Sequence, residues 1–208
     1  VHPAQRLLER HAMPDADERL AMLTRIIRTL EEAAYIHIGM DHFARPEDSL
    51  ARALDEGTLQ RNFQGYSTRG GVDIHGFGPS AISATPDFYA QNHKGRAEWE
   101  RALEEGDLPV ARGVLCDEED QTRRHIIMEL MCKRAITLDD LASACGVEDF
   151  SDRFGEELRE LARYQRDGLV HMQEGRIEVT QLGRHFLRNL AMCFDGYLSN
   201  ERRYSKTV

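Results

Sequence analysis

Leu20, Leu23, Ile27, Leu30 and Ala34 recur at three- and four-residue steps, and the helix this spacing predicts over 15–34 runs directly into the β-rich segment Tyr35-Ile-His-Ile-Gly-Met40. A helix that feeds a strand without a spacer reads as an αβ unit, with the apolar stripe of the helix laid on the sheet. Pro14, Asp15 and Glu18 mark its start: Asp15 can accept from an exposed amide while Glu18 reaches back. A second helix is predicted from about Pro46 to Glu56, followed by a Gly-rich stretch from Asn62 to Gly71. A second strand is predicted over Ile74 to Phe77, and a helix over Asn92 to Glu105 with Trp99 and Leu103 as its apolar contacts.

Beyond about Asp107 the pattern changes to helix, helix, helix, hairpin, helix, which places a domain boundary between 1–106 and 107–208. Thr137 and Asp140 form a capping pair and Gly146 can turn the chain. Phe150, Phe154, Leu158 and Leu161 make one further amphipathic helix. Gly168-Leu-Val-His-Met172 and Arg176-Ile-Glu-Val-Thr180 alternate across Glu174-Gly175 as a hairpin or wing. Thr180 caps a last helix whose Leu187, Leu190, Ala191, Phe194 and Leu198 face a core. The sum reads as a winged-helix-like module behind an α/β segment.

Charge narrows what such a module does. The 208 residues hold 27 Lys+Arg against 36 Asp+Glu, a net charge of −9 that weighs against a polyanionic partner. The stretch from Glu148 to Asp167 carries seven acids and four arginines, so the segment that would enter a DNA groove repels it. Arg202, Arg203 and Lys206 form only a small basic tail. With 41% hydrophobic and 30% charged residues the chain is expected to fold. No apolar run approaches a membrane span, and the N-terminal VHPAQRLLERH is charged where a signal peptide is apolar, so a cytoplasmic location is expected.

Candidate chemistry is sparse. Cys116, Cys132, Cys145 and Cys193 are separated by 16, 13 and 48 positions, which leaves no local clip for a metal and makes buried free thiols the expectation. His37, His42 and His75 sit in or beside the expected strands, each more readily a structural hydrogen-bonding residue than an acid or base. Asp41 need not touch His42, because neighbours in an extended dipeptide point to opposite faces. The glycines of Asn62-Phe-Gln-Gly-Tyr66 and Gly76-Phe-Gly-Pro-Ser-Ala-Ile-Ser83 allow a ligand close to the backbone, or are plain turns; neither segment has the spacing of a phosphate loop.

At these segments the sequence resembles the oxygen-independent coproporphyrinogen III oxidases, radical S-adenosylmethionine enzymes of haem biosynthesis. The resemblance is carried by Ile38-Gly-Met-Asp-His-Phe-Ala-Arg-Pro46, Arg61-Asn-Phe-Gln-Gly-Tyr66, Ser80-Ala-Ile-Ser83, Tyr89-Ala-Gln-Asn92, Arg188-Asn189 and Phe194-Asp-Gly-Tyr-Leu198, and it extends over nearly the whole chain. Pro79 and Arg69-Gly70-Gly71 depart from the usual pattern. The resemblance implies the last strands and helices of a partial (β/α) barrel over 1–106, followed by the family's helical C-terminal domain. It also implies a [4Fe–4S] cluster on a CxxxCxxC loop, a spacing this sequence does not contain, so the chain is expected to be the C-terminal portion only.

By position, Ile82 resembles the family's late-barrel isoleucine in contact with S-adenosylmethionine, and Phe63 and Gln64 resemble the loop pair beside the same cofactor. In the parent enzyme a 5′-deoxyadenosyl radical removes hydrogen from a propionate, carbon dioxide leaves, and two such steps turn coproporphyrinogen III into protoporphyrinogen IX. The chain alone is expected to be inactive, with no catalytic residue, no metal ligand and no tightly bound cofactor. Residues 1–106 are expected to self-associate or to be loosely ordered, and the parent to be monomeric. The alternatives are a related haem chaperone, against which the Asn62-Phe-Gln-Gly-Tyr66 loop argues, or a winged helix used only for binding.

Overall fold

The computed structural model describes residues 13–198. The expectations on VHPAQRLLERH and on Arg202, Arg203 and Lys206 lie outside the described residues. Helix α1 (Ala16–Glu32) starts as its sequence requires: the Asp15 carboxylate accepts from the Glu18 amide at 2.9 Å while Glu18 accepts from the Asp15 amide at 3.0 Å. Its apolar stripe is only partly covered. Ile27 is buried, yet Leu20, Met22 and Ile26 are 40%, 54% and 51% exposed.

The chain then forms the hairpin β1 (Ile36–Gly39) and β2 (His42–Ala44), helix α2 (Ser49–Asp55) and a hairpin of β3 (Gln60–Asn62) and β4 (Gly65–Ser67). A three-stranded antiparallel sheet follows, β5 (Ile82–Ala84), β6 (Phe88–Asn92) and β7 (Val110–Leu115), with α3 (Arg96–Glu104) inserted before β7. All strand pairs among the described residues are antiparallel, so the parallel ladder of a (β/α) barrel is not formed within them.

Three expectations are corrected here. Ile74–Phe77 is no strand: only Ile74 bridges to Ala84, after which Gly76 presses against the Ile82 backbone and the chain turns away. Asn92 ends β6 instead of opening a helix, and Leu103 on α3 is 45% exposed. The Gly-rich stretch holds the β3–β4 hairpin, whose three-residue strands are too short to show a period. In addition β7, beyond the expected boundary at 106, pairs with β6 before it.

From α4 (Glu118–Cys132) onward the order is β8 (Ala135–Thr137), α5 (Leu138–Cys145), three short helices α6 (Phe150–Arg153), α7 (Gly155–Leu161) and α8 (Arg163–Arg166), then β9 (Val170–Gln173) and β10 (Arg176–Val179). The single helix expected over Phe150–Leu161 breaks at Phe154, whose φ/ψ of −113°/27° leaves the helical range. The β9–β10 turn is the two-residue type expected, with Glu174 and Gly175 at φ +49° and +73°, and β8 adds to it as a third strand in the order β8-β10-β9. Thr180 donates to the Gly168 carbonyl and accepts from the Gly183 amide, opening a 3-10 turn (Gly183–Phe186) that leads into α9 (Leu187–Met192).

Two cores result. The larger gathers Ile126, Leu130, Phe150, Phe154, Leu161, Val170, Ile177, Leu190 and Phe194; the smaller gathers Ile38, Ala51, Leu54, Leu59, Tyr66 and Cys132. Helix α4 serves both: Ile126 and Leu130 enter the first, Cys132 the second, with Met128 and Met131 packed against it. Phe154→Ala is therefore expected to lower the unfolding free energy in urea by about 3–5 kcal/mol, whereas Leu103→Ala shifts it by no more than about 0.5 kcal/mol.

Candidate functional site

A cleft of about 970 Å³ opens between the β3–β4 hairpin, the loop 69–74, the β5–β6–β7 sheet, helix α4 and the turn 194–197. Its first wall is set by a side-chain turn: Asn62 Oδ1 accepts from the amides of Gln64 and Gly65 at 2.8 and 3.2 Å, which bends β3 into β4. Gly65 has φ +147°, and a Cβ there would stand 2.8 Å from His42 Nε2. Gly39 is equally confined, at φ +158° with the Tyr66 hydroxyl where a Cβ would be. These two glycines let the hairpins stack, and the buried Tyr66 locks the stack to α4 by donating to the Met131 carbonyl at 3.1 Å. Burial, opposed by the neighbouring Arg61, pushes the Tyr66 hydroxyl up to about 12, so it stays a donor.

The second wall is the sheet. Asn92, buried, donates to the Gly78 carbonyl at 3.0 Å, Gln91 donates to the Ser80 carbonyl at 3.1 Å, and Ser83 Oγ accepts from the Gly76 amide at 3.0 Å. The polar residues of Tyr89-Ala-Gln-Asn92 thus fasten the loop 76–80 onto the sheet. The third wall is α4, where Arg124 donates to the carbonyls of Thr85 and Pro86 at 2.9 and 2.7 Å and lies over the Tyr89 ring.

Phe63 lines the cleft and is 44% exposed. Gln64 is exposed at the hairpin tip, its side-chain amide without a hydrogen bond among the described residues. Ile82 is half-buried, and the two-residue period of β5 puts it on the face where Ala84 lines the cleft. Of the three, only Phe63 is among the residues lining the cleft. The thiols do not fit an iron–sulfur cluster: burial pushes Cys132 up to about 12 and Cys193 up to about 11, and no group of three metal-ligating side chains occurs among the described residues.

Asp41 and His42 do meet, contrary to the extended-dipeptide expectation, with His42 Nδ1 at 2.9 Å from Asp41 Oδ1. Asp41 belongs to the tight β1–β2 turn, next to Met40 at φ +51°, and such a turn does not alternate its side chains. His75 lies exposed on a loop. His37 is buried elsewhere, where β1 meets the 3-10 turn: its Nε2 donates to the Met40 carbonyl at 2.9 Å, its ring stacks on Phe43 and His185, and Arg184 donates to its own carbonyl at 3.1 Å. Sequence reasoning missed His185, Arg184, Tyr66, Arg61 and Arg124. Arg61 and Tyr66 are the two ends of the Arg61-Asn-Phe-Gln-Gly-Tyr66 motif and meet across its hairpin, whereas Arg124, Arg184 and His185 carry no local signal, because their partners are remote in the chain.

Residues 116–186 match the family model described as the HemN C-terminal domain. The chain is 39% identical over 206 residues to an oxygen-independent coproporphyrinogen III oxidase of Pseudomonas aeruginosa, covering 98% of this chain and 45% of the relative. It is 40% identical over 203 residues to the Escherichia coli protein of that name, covering 98% and 44%. For that of Thermostichus vulcanus the identity is 40% over 211 residues, covering 100% and 65%. A solved structure described as coproporphyrinogen III oxidase (HemN) from Escherichia coli, a radical SAM enzyme, superposes with a TM-score of 0.83 at 42% identity, covering 89% of this chain and 42% of that one. The later part of the chain is therefore a HemN C-terminal domain. Along nearly its whole length the chain is similar to oxygen-independent coproporphyrinogen III oxidases, and it spans 44–65% of the length of these curated relatives. No helix among the described residues is long and apolar enough to cross a membrane.

Burial holds the imidazoles of His37 and His185 below their ordinary value of 6.5, against the hydrogen bond that His37 donates to the Met40 carbonyl. The unfolded chain then binds more protons than the folded one in acid, so stability is full above 6.5 and is lost as pH falls from 6.5 through the lower folded-state values. Urea unfolding measured across that range is expected to show this decline, with a smaller slope in His185→Phe.

Proposed function

We propose that this chain is the C-terminal portion of an enzyme that oxidatively decarboxylates two propionates of coproporphyrinogen III, giving protoporphyrinogen IX in porphyrin biosynthesis. The observation that carries the proposal is the agreement with enzymes of that name along 98% of the chain, together with a cleft that keeps the motif residue Phe63 on its wall. S-adenosylmethionine with a reduced [4Fe–4S] cluster supplies the hydrogen abstraction. Phe63 would stack against its adenosyl group, Ile82 would pack on it, and the free Gln64 amide would hydrogen-bond its polar edge.

Helix α1 and the β1–β2 hairpin are read as the last αβ unit of a partial barrel. The order α4, β8, α5, α6–α8, β9, β10 is read as a winged-helix-like module. The division between the two parts is read at 106/107, with β7 of the later part pairing back to β6. The acidic surface argues against nucleic acid as a partner. Leu20, Met22 and Ile26 on α1 are the apolar surface through which these 208 residues, taken alone, would self-associate.

The test is the intact mass of the native protein purified anaerobically from its source, with iron and acid-labile sulfide determined. The expected result is a mass well above 23.8 kDa, with the iron and sulfide of one cluster. A native protein of 23.8 kDa without iron overturns the proposal. The 208-residue chain given S-adenosylmethionine and a reductant is expected to show no turnover, and measurable decarboxylation would contradict that.

A further inference from the structure

Four arginines line the cleft, on three different elements: Arg61 on β3, Arg69 in the loop after β4, Arg123 and Arg124 on α4. Arg123 is neutralised by Glu119 at 2.7 Å and Glu157 at 2.9 Å. No carboxylate stands within ion-pair distance of Arg61, Arg69 or Arg124 among the described residues. Arg61 lies 4.9 Å over the Tyr66 ring, with its Nη1 buried and unpartnered. Arg124 spends part of its fork on the Thr85 and Pro86 carbonyls and the Tyr89 hydroxyl, which leaves N–H groups over and fixes its plane. Arg69 is exposed.

The acids of the cleft do not contact them. Three carboxylates also line the cleft, Asp73, Asp120 and Asp195; Asp120 accepts from the Tyr197 hydroxyl and the Asp117 amide, Asp195 accepts from the Tyr197 amide, and none of the three pairs with Arg61, Arg69 or Arg124. Among the described residues three guanidinium groups of one cleft are thus without a direct carboxylate partner, although the chain carries a net charge of −9. Between them the lining is apolar, with Phe63, Ile74, Ile127, Met128 and Met131. Such walls suit a hydrophobic body and disfavour a polyphosphate, while separated guanidinium forks suit carboxylates.

We infer that Arg61, Arg69 and Arg124 are a carboxylate-binding group for a mainly apolar molecule, and that this group sets substrate specificity. The ligand class follows from the cleft. Taking that ligand to be the porphyrinogen rests on the proposed function.

The test uses the 208-residue chain and two probes with the same ring, coproporphyrin III and its uncharged propionamide derivative, titrated by fluorescence. The acid is expected to bind at least about tenfold more tightly than the amide, a gap that narrows as salt is raised. Arg61→Gln and Arg69→Gln are each expected to weaken the acid about tenfold and leave the amide unchanged. Arg69 is exposed, so that variant keeps the fold. Equal affinity for acid and amide, no binding of either, or unchanged acid affinity in both variants overturns the assignment. These outcomes separate from failure of the proposed function: iron and a larger native mass with no preference for the acid remove only the arginine group, whereas acid-selective binding by an iron-free native chain of 23.8 kDa removes only the enzyme reading.

Discussion

Helix α4 is the member on which the rest depends, because it is buried on two sides at once. Its Ile126 and Leu130 complete the core of the later part of the chain, while Met128, Met131 and Cys132 close the smaller core beneath the hairpins. A helix with two apolar faces cannot move relative to one core without disturbing the other. The same helix presents Arg123 and Arg124 to the cleft, and its Met131 carbonyl receives the Tyr66 hydroxyl. Cleft geometry is thereby tied to the packing of both halves, and substitutions in either core should be felt at the ligand.

The cleft combines close backbone approach with fixed charge. Gly39 and Gly65 allow two hairpins to lie against each other where side chains would collide, and Asn62 turns the second so that Phe63 meets the opening. Asn92, Gln91 and Ser83 spend their polar groups on the loop 76–80, so that part of the family motif builds the wall rather than acting on a substrate. Among the described residues Arg61, Arg69 and Arg124 and the cleft carboxylates Asp73, Asp120 and Asp195 keep no ion pair. Structural and ligand-directed residues of one motif are separated by whether their hydrogen bonds are already made.

Local rules were legible along much of the chain. The Asp15–Glu18 capping box, the Thr137 cap, the left-handed Gly146 and the Glu174-Gly175 hairpin formed as read, because each depends on residues within a few positions. Reading failed where strands were three residues long, as in β3, β4, β5 and β8, since two or three positions show no alternation. It failed also at α3, where Leu103 faces solvent, and at Phe154, where a well-spaced apolar series is broken so that the buried ring can pack against Phe150 and Phe194.

The candidate site was legible only through its motifs. Phe63, Gln64 and Ile82 stood out by sequence context, whereas Arg124 did not, because a lone arginine carries no spacing signal and its value depends on whether a carboxylate lies nearby in space. The sequence by itself determined the helix starts, the turns and the family resemblance, since these are matters of neighbouring residues and of pattern. Tertiary structure alone decided which charges stay unpaired, which thiols and imidazoles are held neutral, and that one helix closes two cores. Burial and the pairing of groups remote in the chain exist only once the chain has folded.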